Sequence, residues 1–203
     1  MSIKVIPMVD ADVEEVAAFM AESFAQDPLY CYFVPDEQTR MEFMKGFFAF
    51  RLRYTINFGK VYITEDKKAV SAWVEPGAQM QPEHLVMFGG QEPFMIVVED
   101  VVNRVMAFSE FGGKIEAEFA PMPHWHWGPL AVDSAYWGKG YAKALMQGMF
   151  TYLDENGEFC YLETQTEKNK EIYEKYGFEV IKQDVLPGTN IPHFSMLRAP
   201  KGK

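Results

Sequence analysis

The strongest constraint on the fold of this chain is an alternation of apolar patterns in its C-terminal half. A strand pattern covers residues 124–132, a helical repeat of apolar residues follows and ends at Asn156-Gly157, and a second strand pattern covers residues 159–164. Two strands joined through one helix lie parallel when they belong to the same sheet. The sequence therefore predicts at least one parallel pair of strands.

The other strand patterns predict an α+β fold with a mixed, mostly antiparallel sheet. Residues 61–64 and 69–74 flank a polar turn at 65–68, which is typical of an antiparallel hairpin. The last elements of the chain are one short helix and two strands, which are predicted at residues 169–176, 178–185 and 193–197.

Three helices are predicted before this C-terminal half. Asp12, followed three residues later by Glu15, resembles a capping box, so the first helix should begin there and end before Asp27-Pro28. A second helix with a wide aromatic stripe should follow Pro35, and Pro93 should open a third, apolar helical stretch.

Length and composition favour one domain that spans residues 1–203. The chain is 48% hydrophobic, which allows one substantial core. Turn-rich segments occur at residues 75–82, Gly112-Gly113 and 187–192, and each is too short to link two domains.

Charge and residue usage exclude several classes of protein. A formal net charge of −10 disfavours nucleic acid as a partner, because the phosphate backbone is itself anionic. Cys31 and Cys160 lack metal-ligand spacing, which indicates two free thiols in a reducing compartment and no metal site. No run of eighteen apolar residues or secretory signal is present, so we expect a cytoplasmic protein without a membrane span.

The segment from Leu130 to Lys143 carries the most informative chemistry. A strand ends, a turn follows, and Gly138 and Gly140 stand where a helix begins. Unpaired backbone N–H groups and the positive end of the helix dipole converge there, and glycine allows an anion to approach the main chain closely. The pattern predicts a phosphate site, to which Lys139 and Lys143 add positive charge.

Other phosphate loops fit the same segment less well. A dinucleotide fingerprint requires a third glycine where Lys143 stands, and nothing matches a nucleotide-triphosphate loop. The remaining alternative is a glycine-softened turn that binds no ligand.

The segment resembles the pyrophosphate motif of the GNAT superfamily of acyl-CoA N-acyltransferases, Gln/Arg-x-x-Gly-x-Gly/Ala. Gly140 and Ala142 match the last two defined positions, whereas Trp137 stands in place of Gln or Arg. The resemblance extends over residues 124–133 and 161–180, which are similar to the family's fourth and fifth strands and to the helix that closes its site. Glu163-Thr164-Gln165, Asn169 and the Tyr-Glu-Lys-x-Gly-Phe segment at 173–178 are most similar to the branch containing puromycin N-acetyltransferase.

This resemblance implies a three-layer α/β/α fold with about seven strands, with residues 124–185 as its acetyl-CoA-binding half. Acetyl-CoA would be the co-substrate, with no metal. Its pantetheine arm would lie along the fourth strand, and its pyrophosphate would bind at the loop. The implied cofactor-binding residues are Leu130, Ala131, Val132, Trp137, Gly138, Lys139, Gly140, Tyr141, Ala142, Lys143, Asn169 and Tyr173.

The implied reaction is the direct attack of an amine on the thioester carbonyl. A strand N–H near Leu130 or Ala131 would polarise the carbonyl, and the Tyr173 hydroxyl would protonate the leaving sulfur. Glu163 is the first candidate for the base that accepts the amine proton. His124 and His126, which strand alternation places on one face, are the alternatives.

The N-terminal half would supply the acceptor pocket, with Tyr30, Tyr32, Phe33 and Trp73 as candidates for an aromatic wall. We expect the acceptor to be the primary amine of a small molecule and the enzyme to be a monomer or a homodimer. Two alternatives stay open at the level of sequence. One is a non-catalytic module that senses acyl-CoA, and the other is an enzyme that acetylates protein or peptide amines.

Overall fold

A computed structural model describes residues 3–202, and a seven-stranded sheet runs through it in the order β1-β2-β3-β4-β5-β7-β6. Strands β4 and β5 are parallel and the other neighbours are antiparallel, so the predicted parallel pair is confirmed. The strands are β1 (Val5–Pro7), β2 (Gly59–Thr64), β3 (Ala69–Val74), β4 (His124–Val132), β5 (Phe159–Thr164), β6 (Glu179–Val185) and β7 (Pro192–Arg198).

Helices cover both faces of this sheet, as the predicted three-layer arrangement requires. Helices α1, α3 and α6 pack on one face, and α7 and α8 pack on the other. The helices are α1 (Val13–Ser23), α2 (Pro28–Phe33), α3 (Glu37–Phe58), α4 (Pro82–Met87), α5 (Glu92–Met95), α6 (Glu99–Phe119), α7 (Tyr141–Asn156) and α8 (Glu167–Glu174).

The sheet opens between β4 and β5. These two strands pair only from His124 to His126, after which β5 continues beside β7 and β4 continues beside β3. Strand β4 also has one extra residue against β3, because Ser71 pairs with Leu130 while Trp73 pairs with Trp127. Such a bulge bends a strand. The result is a V-shaped gap that is open to both faces of the sheet.

The sequence patterns located the C-terminal elements well. Strands β4 and β5 have the predicted bounds, and α7 ends at Asn156 with Gly157 in a left-handed conformation, φ +70°. Helix α8 begins earlier than predicted because the Thr166 side chain caps it by accepting a hydrogen bond from the Asn169 N–H at 3.2 Å. Asn169 thus lies inside the helix, and its side chain is not a cap.

In the N-terminal half, one prediction was wrong and one helix was missed. The capping box at Asp12 does not form, because the carboxylate of Asp12 pairs with Lys67 at 2.9 Å and Glu15 binds the same lysine. The short helix α2 was not predicted at all. Asp27 begins it by accepting a hydrogen bond from the Leu29 N–H at 2.9 Å.

The third helical stretch also differs from its prediction. Pro93 lies in the short helix α5, and the long helix α6 begins only at Glu99, where two acidic residues favour its first turn. Gly112-Gly113, which we interpreted as a turn, lies within α6. Gly112 faces β5 so closely that a Cβ there would lie 2.7 Å from Oε1 of Glu163. A packing requirement therefore explains this glycine.

Across residues 3–202, every helix is too short or too polar to cross a lipid bilayer.

The two glycines of α6 give a matched test of this packing. Gly113→Ala should raise the free energy of unfolding by about 0.5–1 kcal/mol, because alanine favours the helix and nothing lies within 4 Å of the new Cβ. Gly112→Ala should gain less, because the Glu163 carboxylate must move. Urea denaturation of both variants measures the difference, and equal gains would show that the Glu163 carboxylate does not require a glycine at position 112.

Candidate active site

One cavity lies at the gap between β4 and β5 and reaches both faces of the sheet. Residues of β4, β5 and α8 line it, together with residues of α2, α3 and α6 and the segment before α2. The lining includes Phe24, Asp27, Leu29, Tyr30, Phe48, Arg51, Phe108, His126, Trp127, Gly128, Pro129, Leu130, Leu162, Glu163, Thr164, Gln165, Asn169 and Tyr173.

The edge of β4 that faces the gap carries free backbone groups. The Asp133 N–H donates to the Lys68 carbonyl at 2.9 Å, so the alternation along an antiparallel pair turns the groups of Leu130 and Val132 away from β3 and into the gap. The Val132 carbonyl accepts a hydrogen bond from the Trp137 indole at 2.8 Å. The Leu130 N–H remains directed at the gap, whereas the N–H of Ala131 faces β3.

The loop before α7 has the geometry of an anion site. Gly138 and Gly140 have φ values of +74° and +88°, a region that side chains disfavour. The Ala144 N–H makes the first helical bond, to the Gly140 carbonyl at 3.0 Å. The preceding N–H groups of the first turn are therefore available to a ligand at the positive end of the helix. Lys139 and Lys143 are exposed beside this turn.

Tyr173 enters the cavity from α8. Its ring packs edge-on against Trp127, with centroids 5.3 Å apart, and burial raises the pKa of its hydroxyl to about 12. The hydroxyl therefore carries its proton at neutral pH. Asn169 lies one turn earlier on the same helix and also lines the cavity.

Glu163 enters the cavity from the opposite face of the sheet. Its Oε1 accepts a hydrogen bond from the Tyr161 hydroxyl at 2.8 Å and lies 3.7 Å from Nε2 of His193, and its side chain is 14% exposed. Gln165 and Ser195 hold the His193 ring at 3.3 and 3.2 Å, and burial lowers the pKa of His193. A neutral histidine thus stands behind the carboxylate.

Comparison with known proteins gives the family of this arrangement. The sequence model of the acetyltransferase (GNAT) domain matches residues 91–180, which include the loop, β4, β5 and α8. This part of the chain is therefore similar to the GNAT acetyltransferases. One relative is a protein of Schizosaccharomyces pombe described as an uncharacterized N-acetyltransferase. It is 26% identical to this chain over an alignment of 200 residues, and the alignment covers 94% of this chain and 81% of the yeast protein.

Solved structures share the fold of the acetyltransferase. A Corynebacterium glutamicum protein described as histone acetyltransferase HPA2 and related acetyltransferase has a TM-score of 0.69 at 20% identity, with 100% of this chain and 99% of that one covered. The Drosophila melanogaster polyamine N-acetyltransferase has a TM-score of 0.68 at 13% identity, with 98% and 100% covered. Arylalkylamine N-acetyltransferase 2 of Aedes aegypti has a TM-score of 0.65 at 13% identity, with 99% and 100% covered.

These findings confirm the expectation of an acetyl-CoA-dependent acyltransferase, and the residues at the gap fit that co-substrate. An extended pantetheine arm suits the free edge of β4, and a pyrophosphate suits the glycine loop. Within residues 3–202, no group of three or more His, Cys, Asp or Glu side chains is arranged to hold a metal ion.

The two candidate histidines differ in their position relative to the cavity. His126 lines the cavity, whereas His124 is absent from its lining and donates toward Glu116 at 2.8 Å. Burial opposes the charge on Glu116, but hydrogen bonds with both histidines hold its pKa well below the usual range. Burial likewise opposes the charged form of His124, yet the bond to Glu116 raises the pKa of this histidine. His124 is better suited to orient this network than to meet a substrate.

Only one of the four proposed aromatic wall residues lines the cavity, namely Tyr30. Phe33 is buried in the core beneath it, and Tyr32 packs against Arg104, 5.3 Å from its guanidinium carbon. Trp73 stacks on Trp127 on the opposite face of the sheet, with centroids 4.7 Å apart.

Sequence reasoning missed several residues of the site. Strand alternation would have placed Tyr161 beside Glu163, two residues away on β5. Nothing in the sequence around His193, Glu116 or Arg51 indicated that they would lie near Glu163 or the cavity, because they come from β7, α6 and α3.

The glycine loop of the acetyltransferase gives a direct test of cofactor binding. Gly140→Val should weaken CoA binding by about tenfold or more, because the side chain is strained at φ +88° and crowds the anion site. Calorimetry with CoA measures the affinity. Gly148→Ala, in the exposed middle of α7 with nothing within 4 Å, is the matched control and should bind CoA like the parent. Parent-like binding by Gly140→Val would disprove the site.

Proposed function

We propose that this acetyltransferase transfers the acetyl group of acetyl-CoA to the primary amine of a small molecule by direct attack. The observation that carries the proposal is that one cavity is lined by Tyr173 on one side of the sheet and by Glu163 on the other. An acid and a base can thus act on the same reacting centre. The similar structures of a polyamine and an arylalkylamine N-acetyltransferase support a small amine as acceptor.

The co-substrate lies along the residues that the resemblance implies. Its pyrophosphate contacts the free N–H groups of the loop between Trp137 and Lys143, and its pantetheine arm runs beside Leu130 and Val132. The N–H groups of Trp137 and Lys139 already donate to the carbonyls of Ser134 and Tyr136. Asn169 reaches the pantetheine. This half of the chain, residues 124–185, forms the cofactor side of one domain, and the N-terminal half forms the acceptor side.

Each bond and each proton of the proposed reaction can be assigned to a group of the chain or of the substrates. The amine nitrogen bonds to the thioester carbonyl carbon, while the Leu130 N–H stabilises the charge that develops on the carbonyl oxygen. The C–S bond then breaks, and the leaving sulfur takes the proton of the Tyr173 hydroxyl. Glu163 accepts the proton that the amine loses, directly or through one water. The products are an N-acetyl amine and free CoA.

Glu163 is the preferred base because it lines the cavity and its hydrogen bond from Tyr161 fixes its carboxylate. His126 is the second candidate, since it lines the same cavity. The branch containing puromycin N-acetyltransferase remains our proposed subgroup, on the residues quoted above. We also propose a cytoplasmic monomer or homodimer, and the net charge of −10 supports the absence of nucleic-acid partners.

The proposal is tested first by the release of free thiol from acetyl-CoA across a panel of small primary amines, with peptide amines as a comparison. Acceptor-dependent release with small amines supports it. Release with peptides alone would favour a protein-acetylating enzyme, and the absence of any acceptor-dependent release would contradict the proposal.

Replacement of Glu163 tests the assignment of the base. Glu163→Gln should lower turnover by roughly 10² to 10⁴-fold, the usual contribution of a positioned base, and leave CoA affinity unchanged. The low-pH limb of the rate profile should move or vanish. His126→Gln and His124→Gln are compared in the same assay. A larger loss in His126→Gln than in Glu163→Gln would transfer the role to the histidine.

Tyr173→Phe tests the acid. Removal of the hydroxyl should lower single-turnover acetyl transfer by roughly 10² to 10⁴-fold, while the ring still packs on Trp127 and CoA binding persists. Tyr176→Phe is the control, because Tyr176 follows the end of α8 and packs on Phe150 with centroids 5.9 Å apart. Equal single-turnover rates for Tyr173→Phe and the parent would remove the hydroxyl from the mechanism.

A further inference from the structure

Arg51 of α3 lines the acceptor side of the cavity and is half-buried there. Across residues 3–202, its guanidinium has no carboxylate within 4.0 Å and no side-chain hydrogen bond. The other four arginines all have such partners, either carboxylates or backbone carbonyls, and they are Arg40, Arg53, Arg104 and Arg198. Arg51 is therefore an exception within its own chain.

The acidic residues of the same cavity are already engaged elsewhere. Asp27 accepts the hydrogen bond that begins α2, and burial raises the pKa of its carboxyl. Glu163 accepts the hydrogen bond from Tyr161 and lies beside His193. A half-buried cation without a partner is unfavourable, and a bound anion would relieve this cost.

The position of Arg51 separates it from the reacting thioester. Its charge acts on the hydroxyls of Tyr30 and Tyr54, where it opposes the burial that raises the pKa of both. Tyr30 belongs to the wall of the cavity on the α2 and α3 side, whereas Tyr173 approaches from α8 on the other face of the sheet. An anion held by Arg51 would belong to the acceptor and not to the thioester.

We propose that the acceptor is an amine that also carries a carboxylate, as an amino acid does, and that Arg51 binds this carboxylate. The inference rests on the proposed function. A planar guanidinium binds a carboxylate through two parallel hydrogen bonds, and the amine of the same molecule then lies toward Glu163. The apolar part of the acceptor packs on the aromatic residues of the wall, which are Phe24, Tyr30, Phe48 and Phe108.

The chemical step is unchanged by the carboxylate. The amine nitrogen forms the new C–N bond and gives its proton to the base, the C–S bond breaks, and the sulfur takes a proton. The carboxylate keeps its charge throughout. Polyamines, in contrast, would bring a second cation toward the guanidinium, which disfavours them.

Matched pairs of amines test the proposal, because each pair differs only in the carboxylate: arginine with agmatine, and tyrosine with tyramine. The parent should show a kcat/KM at least about tenfold higher for the carboxylated member of a pair. Arg51→Gln should bring this ratio close to one, mainly through a loss with the carboxylated amines that matches the parent ratio, about tenfold or more. Arg51→Lys should restore only part of the preference, because it lacks the planar fork.

Arg53→Gln is the matched control, since Arg53 lies two residues further on α3 and pairs with Glu14 at the surface. It should keep the parent ratio. Thermal unfolding and CoA affinity are measured for each variant, so that a misfolded Arg51→Gln is recognised. If Arg51→Gln is misfolded, the ratio measured for Arg51→Lys tests the proposal in its place.

The outcomes separate this inference from the proposed function. Acetylation of agmatine and tyramine at least as efficiently as of arginine and tyrosine, with a ratio that Arg51→Gln leaves unchanged, would overturn the inference while the acetylation of small amines stands. Weaker CoA binding by Arg51→Gln with an unchanged ratio would also overturn it, because Arg51 would then serve the cofactor. Failure of every amine to release thiol would contradict the proposed function itself.

Discussion

Strands β4 and β5 pair from His124 to His126 and then diverge, and every part of the candidate site depends on this divergence. Beyond it, one edge of β4 has backbone groups that no strand occupies, and such groups need partners. The bulge opposite Ser71 bends β4 further from its parallel neighbour. In the proposed function, an extended arm that supplies sheet-like hydrogen bonds would satisfy this edge, and the glycine loop at its end would receive the negative charge.

The same gap connects the two faces of the sheet, which the paired strands would otherwise separate. Residue alternation along a strand sends neighbours to opposite faces, so Glu163 faces α6 while Leu162 faces α7. Tyr173 reaches the gap from the α8 side. A cavity open to both faces is therefore lined by side chains from both, which a closed sheet would not permit.

Burial then sets the protonation of the groups around the gap. It raises the pKa of Tyr173 to about 12, so the hydroxyl keeps its proton at neutral pH. The absence of a Cβ at Gly112 leaves room for the Glu163 carboxylate. On the acceptor side, the Arg51 guanidinium lies among aromatic residues and has no carboxylate partner within residues 3–202. The chemistry of the cavity therefore depends on how its side chains are packed and on which charged groups have partners. It does not depend on an unusual residue type.

The sequence by itself determined the elements whose signals are local. Strand alternation, helical spacing and the Asn156-Gly157 end fixed β4, α7 and β5, because each pattern lies within a few neighbouring residues. The two glycines before α7 marked a turn with positive φ angles for the same reason. Contacts between distant segments decided the rest. Gly112 lies against Glu163 inside a helix, Arg51 and Glu163 line one cavity, and His193 lies beside Glu163, all through folding. Spacing along the chain carries no record of such contacts, since they arise from how α3, α6 and β7 pack around the gap.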